Sequence, residues 1–379
     1  MEKIEKNSEA LSVSTAALER LIRGAITRSE GWLPFDRFMA MALYAPGMGY
    51  YARGDRQFGS LPQSGSDFIT APELSPLFGA ALAKQVGQAL DGCDSHQVWE
   101  FGAGSGALAW QLLNALGDRV QRYSIVELSA VLRERQRATL ATFAAKVEWV
   151  DSLPDTMQGV VVGNEVLDAM PVQLLHFDGL TWAEMGVTWA DERLMWSDRA
   201  TNLKPPALGS TGDAAFPPDS VTEIHPQAEA FIATLGERLQ RGAAFFIDYG
   251  FPEAEYYHPQ RHMGTLMCHH QHQADGNPLL LVGQKDITAH VNFTGIAVAA
   301  QAAGMDILGY TSQARFLMNC GVMAMLEGAD IKTTANTQKL LTEHEMGELF
   351  KVIGFAKGCN AAFNTAPLGF AVGDRTHTL

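Results

Sequence analysis

From residue 97 onward, short apolar runs alternate with amphipathic stretches, a pattern that is typical of a parallel α/β sheet. The apolar runs predict five strands, at 97–101, 122–126, 146–150, 159–163 and 243–248. Apolar positions at helical spacing predict helices between them, at 105–116, 129–144 and 225–240. The fold class is therefore predicted to be α/β, with a Rossmann-like sheet.

The chain before residue 97 has a different pattern. Apolar spacing predicts helices over 12–28 and 35–43 and from about Ser75 to Leu90. Residues 44–71 are rich in Gly, Pro, Tyr and Ser, and a loop of that length within a compact domain is usually functional or disordered. We expect a helical region with a functional loop over 1–94, followed by the Rossmann-like domain over 95–379.

Two stretches of the second region are too long for simple crossover connections. Alternating apolar and polar residues from Leu174 to Val187 predict a small β-insertion near 173–222. A second insertion is predicted near 251–286, before a helix near 287–302. For the C-terminal part we expect a strand near 305–310 and a closing strand pair near 350–357 and 367–373.

The net charge of the chain limits which classes of partner we expect it to bind. The 379 residues carry a formal net charge of −14, so the chain has no overall attraction for nucleic-acid phosphates or anionic lipid. We expect no nucleic-acid partner. An acidic surface suits a basic substrate, although it also serves solubility alone.

The N-terminus and the cysteines predict the compartment. The segment Met1–Lys6 lacks the apolar region of a secretion signal and carries acids that organelle presequences avoid. No apolar run approaches the roughly 20 residues that cross a bilayer, so we expect no membrane insertion. The four cysteines, at 93, 268, 320 and 359, are widely spaced without a CxxC motif, which favours neither a disulfide framework nor a zinc site. These observations predict a reducing, cytoplasmic location.

The central motif is the glycine loop after the strand at 97–101, with Gly102, Gly104 and Gly106 at alternate positions. Glycine permits positive φ and lets the backbone approach a ligand closely. Dinucleotide enzymes use the spacing GxGxxG instead. Glu100 stands just before the loop, where it suits the cationic amino acid group of S-adenosylmethionine and would repel a pyrophosphate. We therefore expect S-adenosylmethionine as cofactor, with a dinucleotide as the weaker alternative.

Two later strand ends carry acids that agree with this ligand. Glu127 ends the second strand, where a carboxylate accepts hydrogen bonds from ribose hydroxyls, in a dinucleotide as well as in S-adenosylmethionine. Asp151, Ser152 and Leu153 end the third strand, where the adenine edge would lie. The alternative is that Glu127 and Asp151 cap the helices that follow them.

After the fourth strand comes Asn164-Glu165-Val166-Leu167-Asp168. In Rossmann-like methyltransferases this strand end faces the methyl group being transferred. Polar side chains at the mouth of an apolar strand have few structural reasons to cluster, so this segment is our candidate for the catalytic side.

Along most of its length the chain resembles the MidA-like methyltransferases. The resemblance is carried by the segments 65–74, the glycine loop, 126–129, 164–172, 247–250, 264–266, 277–278 and 283–293. Those at 65–74 (GSDFITAPEL), 164–172 (NEVLDAMPV) and 283–293 (GQKDITAHVNF) are specific to that family. Two departures are mild: relatives often carry aromatic residues where this chain has Cys268-His269-His270, and proline and arginine between the glycines of the loop.

The resemblance implies methylation of an arginine on a specific partner protein. The family includes a mitochondrial assembly factor that dimethylates an arginine of a respiratory complex I subunit, so such a subunit is the implied partner. Family members fold the segment 44–71 over the donor. The predicted cofactor-binding residues are therefore extended to Asp67, Phe68, Thr70, Pro72, Leu128, Asn164 and Glu165. The alternative is that the residues at 67–72 only pack the N-terminal helices on the core.

If the acceptor is arginine, a carboxylate pair orients the guanidinium and localises electron density on the attacking nitrogen. Glu165 and Asp168 are the candidates, with Asp248 and His290 as partners or proton acceptors. The alternative is that Asp168 caps a helix and His290 is a core residue. A methyltransferase for a small molecule or another side chain, or a donor-binding assembly factor without turnover, also remains open.

Five histidines cluster between residues 258 and 272, with Cys268 among them. Their spacing fits no common zinc pattern, and we expect no metal.

Overall fold

The computed structural model describes residues 2–53, 69–206 and 216–379, with side chains described from residue 14. Its strands are β1 Leu33–Pro34, β2 Gln97–Phe101, β3 Arg122–Val126, β4 Val147–Val150, β5 Met157–Asn164, β6 Gln173–Phe177, β7 Trp182–Ala190, β8 Arg193–Ala200, β9 Ser220–Ile224, β10 Leu239–Phe251, β11 Met267–His270, β12 Gln273–Asp275, β13 Asp286–Thr288, β14 Val291–Asn292, β15 Asp306–Ser312 and β16 Phe350–Lys357.

The α-helices are α1 Glu2–Arg28, α2 Phe35–Tyr44, α3 Ala71–Leu74, α4 Pro76–Gly92, α5 Ala107–Leu116, α6 Ala130–Thr139, α7 Pro226–Arg238, α8 Glu253–Tyr256, α9 Phe293–Ala302, α10 Gln313–Asn319, α11 Val322–Leu326, α12 Ile331–Leu341 and α13 Ala361–Thr365. None of the helices in the described part of the chain is both long and apolar enough to span a membrane.

The chain folds into two compact units. The first comprises Met1–Gln57, Ala169–Ala228 and Glu253–His290, and the second comprises Phe58–Asp168, Glu229–Pro252 and Val291–Leu379. Residue 94, the predicted boundary, lies inside the second unit. Two of the three segments of the first unit correspond to the insertions predicted near 173–222 and 251–286.

The second unit contains a sheet with the strand order β15-β16-β10-β5-β2-β3-β4, and β14 pairs with β10. Strands β2, β3, β4, β5 and β10 run parallel, whereas β16 runs antiparallel to both of its neighbours. Their β-branched and aromatic residues, such as Val98, Val162 and Phe245, are fully buried because helices cover parallel sheets on both faces. The predicted Rossmann-like α/β fold is confirmed.

The strand order indicates at which edge of this sheet a ligand would bind. The chain runs from β2 outward to β3 and β4, and then returns to the other side of β2 with β5. Open α/β sheets bind ligands beyond the carboxyl ends of the strands at such a reversal. The glycine loop follows β2 at this point.

The first unit contains two antiparallel sheets. One has the order β1-β7-β6-β9, with β8 also paired to β7, and the other has the order β12-β11-β13. Strands β6, β7 and β8 lie within the stretch 173–222, for which the sequence predicts a β-insertion, and β9 begins within it. Trp32 donates a hydrogen bond from Nε1 to the carbonyl oxygen of Ser197 (2.8 Å), which joins the β1 segment to the insertion.

Three predictions of local structure are wrong. Helix α1 begins at residue 2 and not near 12. Helix α9 begins at Phe293, because the preceding residues form β13 and β14 and the Asn292 side chain caps the helix. Residues 367–373 form no strand, because β10 and β15 occupy both edges of β16.

The expectation that the cysteines form no disulfide is also wrong. Cys93 and Cys359 are joined, while Cys268 and Cys320 are free and buried. The end of α4 meets the segment after β16, where the backbone N–H of Asn360 donates to the carbonyl oxygen of Gly92 (2.9 Å). The two cysteines are 266 residues apart in sequence, so their spacing carries no sign of the pairing.

Candidate active site

The glycine loop has the backbone that its sequence predicts. Gly102, Gly104 and Gly106 have φ values of +64°, +52° and +86°. This left-handed region strongly favours glycine. Gly106 precedes the first residue of α5, so the loop delivers its backbone to a helix N-terminus, where N–H groups and the helix dipole favour anionic ligand groups.

The segment 70–74, which contains the candidate donor residues Thr70 and Pro72, is bonded to this loop. The Ser105 hydroxyl donates to the Glu73 carboxylate, and Gln111 in α5 donates from Nε2 to the carbonyl oxygen of Pro72 (2.7 Å). Pro72 is buried and Thr70 is partly buried. Asp67 and Phe68 lie outside the described residues.

Glu100 lies inside the sheet, directly before the loop. Only 2% of its surface is exposed, and Tyr123 on the neighbouring strand β3 donates a hydrogen bond to its Oε2 (2.6 Å). Burial raises the pKa of Glu100 to about 8, although the bond from Tyr123 opposes the rise. The structure therefore pairs this carboxyl with Tyr123, and its predicted contact with the donor stays a prediction.

Glu127 directly follows β3 and is also buried. Its Oε1 accepts the backbone N–H of Ser129 (2.8 Å), and its Oε2 accepts Nε2–H of Gln136 (3.1 Å). Burial raises the pKa of Glu127, and these two bonds lower it. The cap of α6 is Ser129, whose hydroxyl accepts the N–H of Leu132 (3.4 Å), so the alternative of Glu127 as the helix cap does not hold.

The ends of β3 and β4 are held together by Arg133. Its guanidinium donates to the carbonyl oxygens of Glu127 and Val150 and pairs with the carboxylate of Asp151. Asp151 is exposed and is followed by β5, so it caps no helix. Leu128 is 78% exposed, a high value for an apolar side chain. Of the other two residues predicted for the adenine edge, Ser152 is exposed and Leu153 is partly buried.

Glu165 follows β5 in an unusual backbone conformation. Its φ is +54°, which costs a residue other than glycine free energy and is found preferentially at functional sites. Its N–H donates to the carbonyl oxygen of Ile247 in β10 (2.9 Å), and Asn164 donates from Nδ2 to its Oε1 (2.9 Å). Neighbouring contacts therefore hold both the backbone and the carboxylate.

Asp248 organises the turn that follows. Its Oδ2 accepts the backbone N–H groups of Val166 (3.1 Å), Leu167 (2.9 Å) and Asp168 (3.3 Å), and its Oδ1 accepts that of Tyr249 (2.9 Å).

Burial raises the pKa of Asp248 well above its ordinary value, and the nearby carboxylates of Asp168 and Glu165 raise it further. The hydrogen bonds from the backbone amides oppose this rise. The bonds make Asp248 a positioning group. Asp168 is buried and precedes no helix, so it is not a helix cap.

His290 belongs to the first unit, in a buried network that sequence reasoning did not predict. Its backbone N–H donates to Oγ1 of Thr265 (3.0 Å), which also lies 3.0 Å from the Tyr256 hydroxyl. Tyr256 donates to Oε2 of Glu223 (2.9 Å). Burial lowers the pKa of the adjacent His225 to about 3, so this imidazole is neutral. Of this network, the sequence analysis singled out His290, and the family segments 264–266 and 283–293 contain Thr265 and His290.

The second unit thus brings together most of the predicted residues. The carboxyl ends of β2, β3, β4, β5 and β10 carry the glycine loop, Glu127, Asp151, Glu165 and Asp248 in turn. Within the described ranges, no three His, Cys, Asp or Glu side chains are grouped to hold a metal ion.

Comparison with known proteins gives three results. Residues 81–311 match the model of a family described as S-adenosyl-L-methionine-dependent methyltransferase. A crystal structure of a COG1565 superfamily member from Burkholderia thailandensis, bound to S-adenosyl-homocysteine, is 49% identical with a TM-score of 0.92, covering 98% of each chain. A second structure from that organism is 47% identical with a TM-score of 0.86 and the same coverage.

Curated relatives are more distant. Protein arginine methyltransferase NDUFAF7, mitochondrial, of Homo sapiens is 28% identical over 79% of this chain and 72% of its own length. That of Danio rerio is 25% identical over 92% of this chain and 88% of its own length. The predicted cytoplasmic location is wrong by this comparison, since these relatives are named mitochondrial.

The family match covers more than half of the chain, and the sheet order and glycine loop agree with it. The chain belongs to the family of S-adenosyl-L-methionine-dependent methyltransferases.

Proposed function

We propose that the chain transfers a methyl group to a guanidinium nitrogen of an arginine in a partner protein. The observation that carries this proposal is the group of three carboxylates formed by Glu165 and Asp168, on the turn after β5, and Asp248, on the neighbouring strand β10. Four backbone amides occupy Asp248, so we assign the guanidinium to Glu165 and Asp168.

The charge of this turn suits an arginine side chain. Asp168 and Glu165 both raise the pKa of Asp248, because a negative charge nearby disfavours ionisation of a carboxyl group. A guanidinium stays protonated, and its planar N–H groups bond carboxylates in pairs. An arginine bound here would relieve the repulsion and would be fixed in orientation by two carboxylates.

The chain's residues then provide position and charge. When bound, S-adenosylmethionine supplies a methyl group on a positively charged sulfur, ready for in-line displacement. Glu165 and Asp168 each hold one nitrogen through one carboxylate oxygen and localise the electron pair on the third nitrogen. As the new N–C bond forms, the proton that leaves this third nitrogen passes to the second oxygen of one of these carboxylates. Asp248 holds the turn that carries both.

For the donor we propose the predicted set at the ends of β2, β3 and β4. The left-handed glycines permit close approach of the donor, Glu127 would accept the ribose hydroxyls, and exposed Leu128 would offer an apolar surface to adenine. Asp151, Ser152 and Leu153 complete the adenine edge.

Two further observations favour arginine in a protein. The curated relatives are named protein arginine methyltransferases. The net charge of −14 attracts a basic partner. The resemblance to MidA-like proteins makes a respiratory complex I subunit the first candidate substrate.

Replacing Glu165 by Gln tests the catalytic assignment. Glu165→Gln removes the charge and keeps the shape, so we expect turnover to fall by a factor on the order of 10²–10³, while the Kd for S-adenosylmethionine changes less than about twofold. Calorimetric titration and labelled-methyl incorporation measure the two quantities. The control is Glu192→Gln in the exposed turn between β7 and β8. Equal losses of donor binding and turnover would contradict the assignment.

The methylated atom is identified separately. The enzyme is incubated with labelled S-adenosylmethionine and a complex I subunit fraction, and the labelled protein is hydrolysed to amino acids. We expect label in methylated arginine. Label in lysine, glutamine or a small molecule would refute arginine as the acceptor and leave the family assignment intact.

A further inference from the structure

Gln136 in α6 lies at the centre of the donor-side hydrogen bonds, although no motif pointed to it. Its side chain is fully buried. Its Nε2 donates to the carbonyl oxygen of Gly104 (3.0 Å) and to Oε2 of Glu127 (3.1 Å), and its Oε1 accepts Nε1–H of Trp149 in β4 (2.8 Å). One amide therefore links the glycine loop, the acid at the end of β3 and the neighbouring strand.

These partners fix the orientation of the amide. The indole of Trp149 only donates, whereas the carbonyl of Gly104 and the carboxylate of Glu127 only accept. Rotating the amide of Gln136 by half a turn would place donor against donor and acceptor against acceptor. The side chain is thus held in one orientation, and it fixes the spacing between the loop and Glu127.

A second residue of α6 reinforces the contact. Thr139 lies three positions later, on the same face of the helix, and its hydroxyl donates to the carbonyl oxygen of Ser105 (2.8 Å). The helix is packed so closely that a Cβ at Gly106 would lie 3.4 Å from that of Thr139 and 3.5 Å from Cα of Gln136. The face of α6 thus holds the middle of the glycine loop.

We infer that Gln136 is a positioning residue that orients Glu127 toward the donor's ribose and thereby makes the site selective for ligands with ribose hydroxyls. This rests on the proposed contact between Glu127 and the ribose. Ser129, Gln136 and the backbone N–H of Leu128 bond to the carboxylate of Glu127. Two carboxylate oxygens offer about four lone-pair positions, so one remains to accept a ribose hydroxyl.

The experiment measures selectivity for the ribose. Binding of S-adenosylhomocysteine and of its 2′-deoxy analogue is titrated calorimetrically with the full-length wild type, Gln136→Met and Gln136→Glu. We expect the wild type to prefer the ribose form by about tenfold or more, as one lost hydrogen bond to a charged group predicts. Both variants should lower that preference to about twofold, mainly by weakening the ribose ligand. In Gln136→Glu, a second carboxylate faces Glu127 and the Gly104 carbonyl.

The matched control is Gln85→Met in α4. Gln85 is also fully buried and doubly bonded, accepting the N–H of Gly369 (2.7 Å) and donating to Oε1 of Gln88 (3.1 Å), and neither partner belongs to the proposed donor set. Its variant should keep the wild-type preference. Should Gln136→Met not fold, Trp149→Phe removes the indole N–H that orients the amide, and it too should lower the preference.

The possible outcomes distinguish the role of Gln136 from the ribose contact of Glu127. Gln136 variants that keep the wild-type preference overturn the role of Gln136 while leaving Glu127 on the ribose. A wild type that binds both ligands equally overturns the ribose contact of Glu127 and this inference with it. Neither result bears on arginine as the acceptor, which the labelled amino acid decides.

Discussion

Replacing Glu100 by Gln is expected to make the protein more stable at alkaline pH. Glu100 is 2% exposed, and its hydrogen bond from Tyr123 needs only an acceptor oxygen, which Gln also supplies. The change therefore removes a titratable proton and preserves the shape and the bond. The effect on stability comes from the ionisation of the wild-type residue alone.

The pH dependence follows from proton binding. Burial first, and then the charge of Glu127, raise the pKa of Glu100 from 4.5 to about 8 in the folded chain. Between those values the folded state keeps a proton that the unfolded state has released, so the free energy of unfolding falls as pH rises. The full rise corresponds to about 5 kcal/mol. Below pH 4.5 the group contributes no pH dependence, and above pH 8 the loss is complete.

Urea denaturation of the donor-free protein at pH 5 and pH 9 measures this effect. The free energy of unfolding of Glu100→Gln, relative to wild type, should rise by several kcal/mol between the two pH values, toward the limit of about 5 kcal/mol. The control is Glu134→Gln in α6, where 74% of the carboxylate side chain is exposed to water in the folded chain. A difference between Glu100→Gln and wild type that stays constant with pH would refute the reasoning.

Two more predictions concern the disulfide and the glycine loop. Cys93→Ser should lower the free energy of unfolding by about 2–5 kcal/mol under oxidising conditions, because the bond to Cys359 closes a loop of most of the chain in the unfolded state. Urea denaturation with and without reductant measures it. Gly102→Ala should weaken S-adenosylmethionine binding in calorimetry, because φ is +64° and the new Cβ would lie 3.0 Å from Cγ2 of Val166.

Each has a matched control. Cys320→Ser alters a buried cysteine that is free, so reductant should still destabilise that variant as it does wild type. Reductant that leaves wild type unchanged would contradict the role of the disulfide. Gly276→Ala places its Cβ in open space and should leave donor binding intact. Equal donor affinities of Gly102→Ala and wild type would show that the loop tolerates a side chain.

The sequence predicted features whose cause is local. The predicted strand 122–126 coincides with β3, and the predicted helix 225–240 differs from α7 by one or two residues at each end. A buried strand is a short apolar run, and a helix buried on one face repeats its apolar residues at helical spacing, so both can be recognised in the sequence. The glycine loop could also be recognised from the sequence, since three alternating glycines after a strand have few roles other than ligand binding.

Contacts between residues that are distant in sequence leave no pattern that the sequence alone reveals. Gln136 is an ordinary polar residue in an amphipathic helix until its carbonyl and carboxylate partners are known. Glu223 lies on β9, yet its donors Tyr256 and Thr265 come from a later insertion. The disulfide joins positions 266 residues apart. In each case the chemistry depends on chain topology and not on residue period.

The bonds from Asp248 to the turn after β5 have a consequence for how such enzymes diversify. The turn takes its shape from a strand of its own unit, and the chain enters the first unit at Ala169, directly after it. We therefore expect changes of length and surface within the segment 169–228 to leave the carboxylates of Glu165 and Asp168 in place.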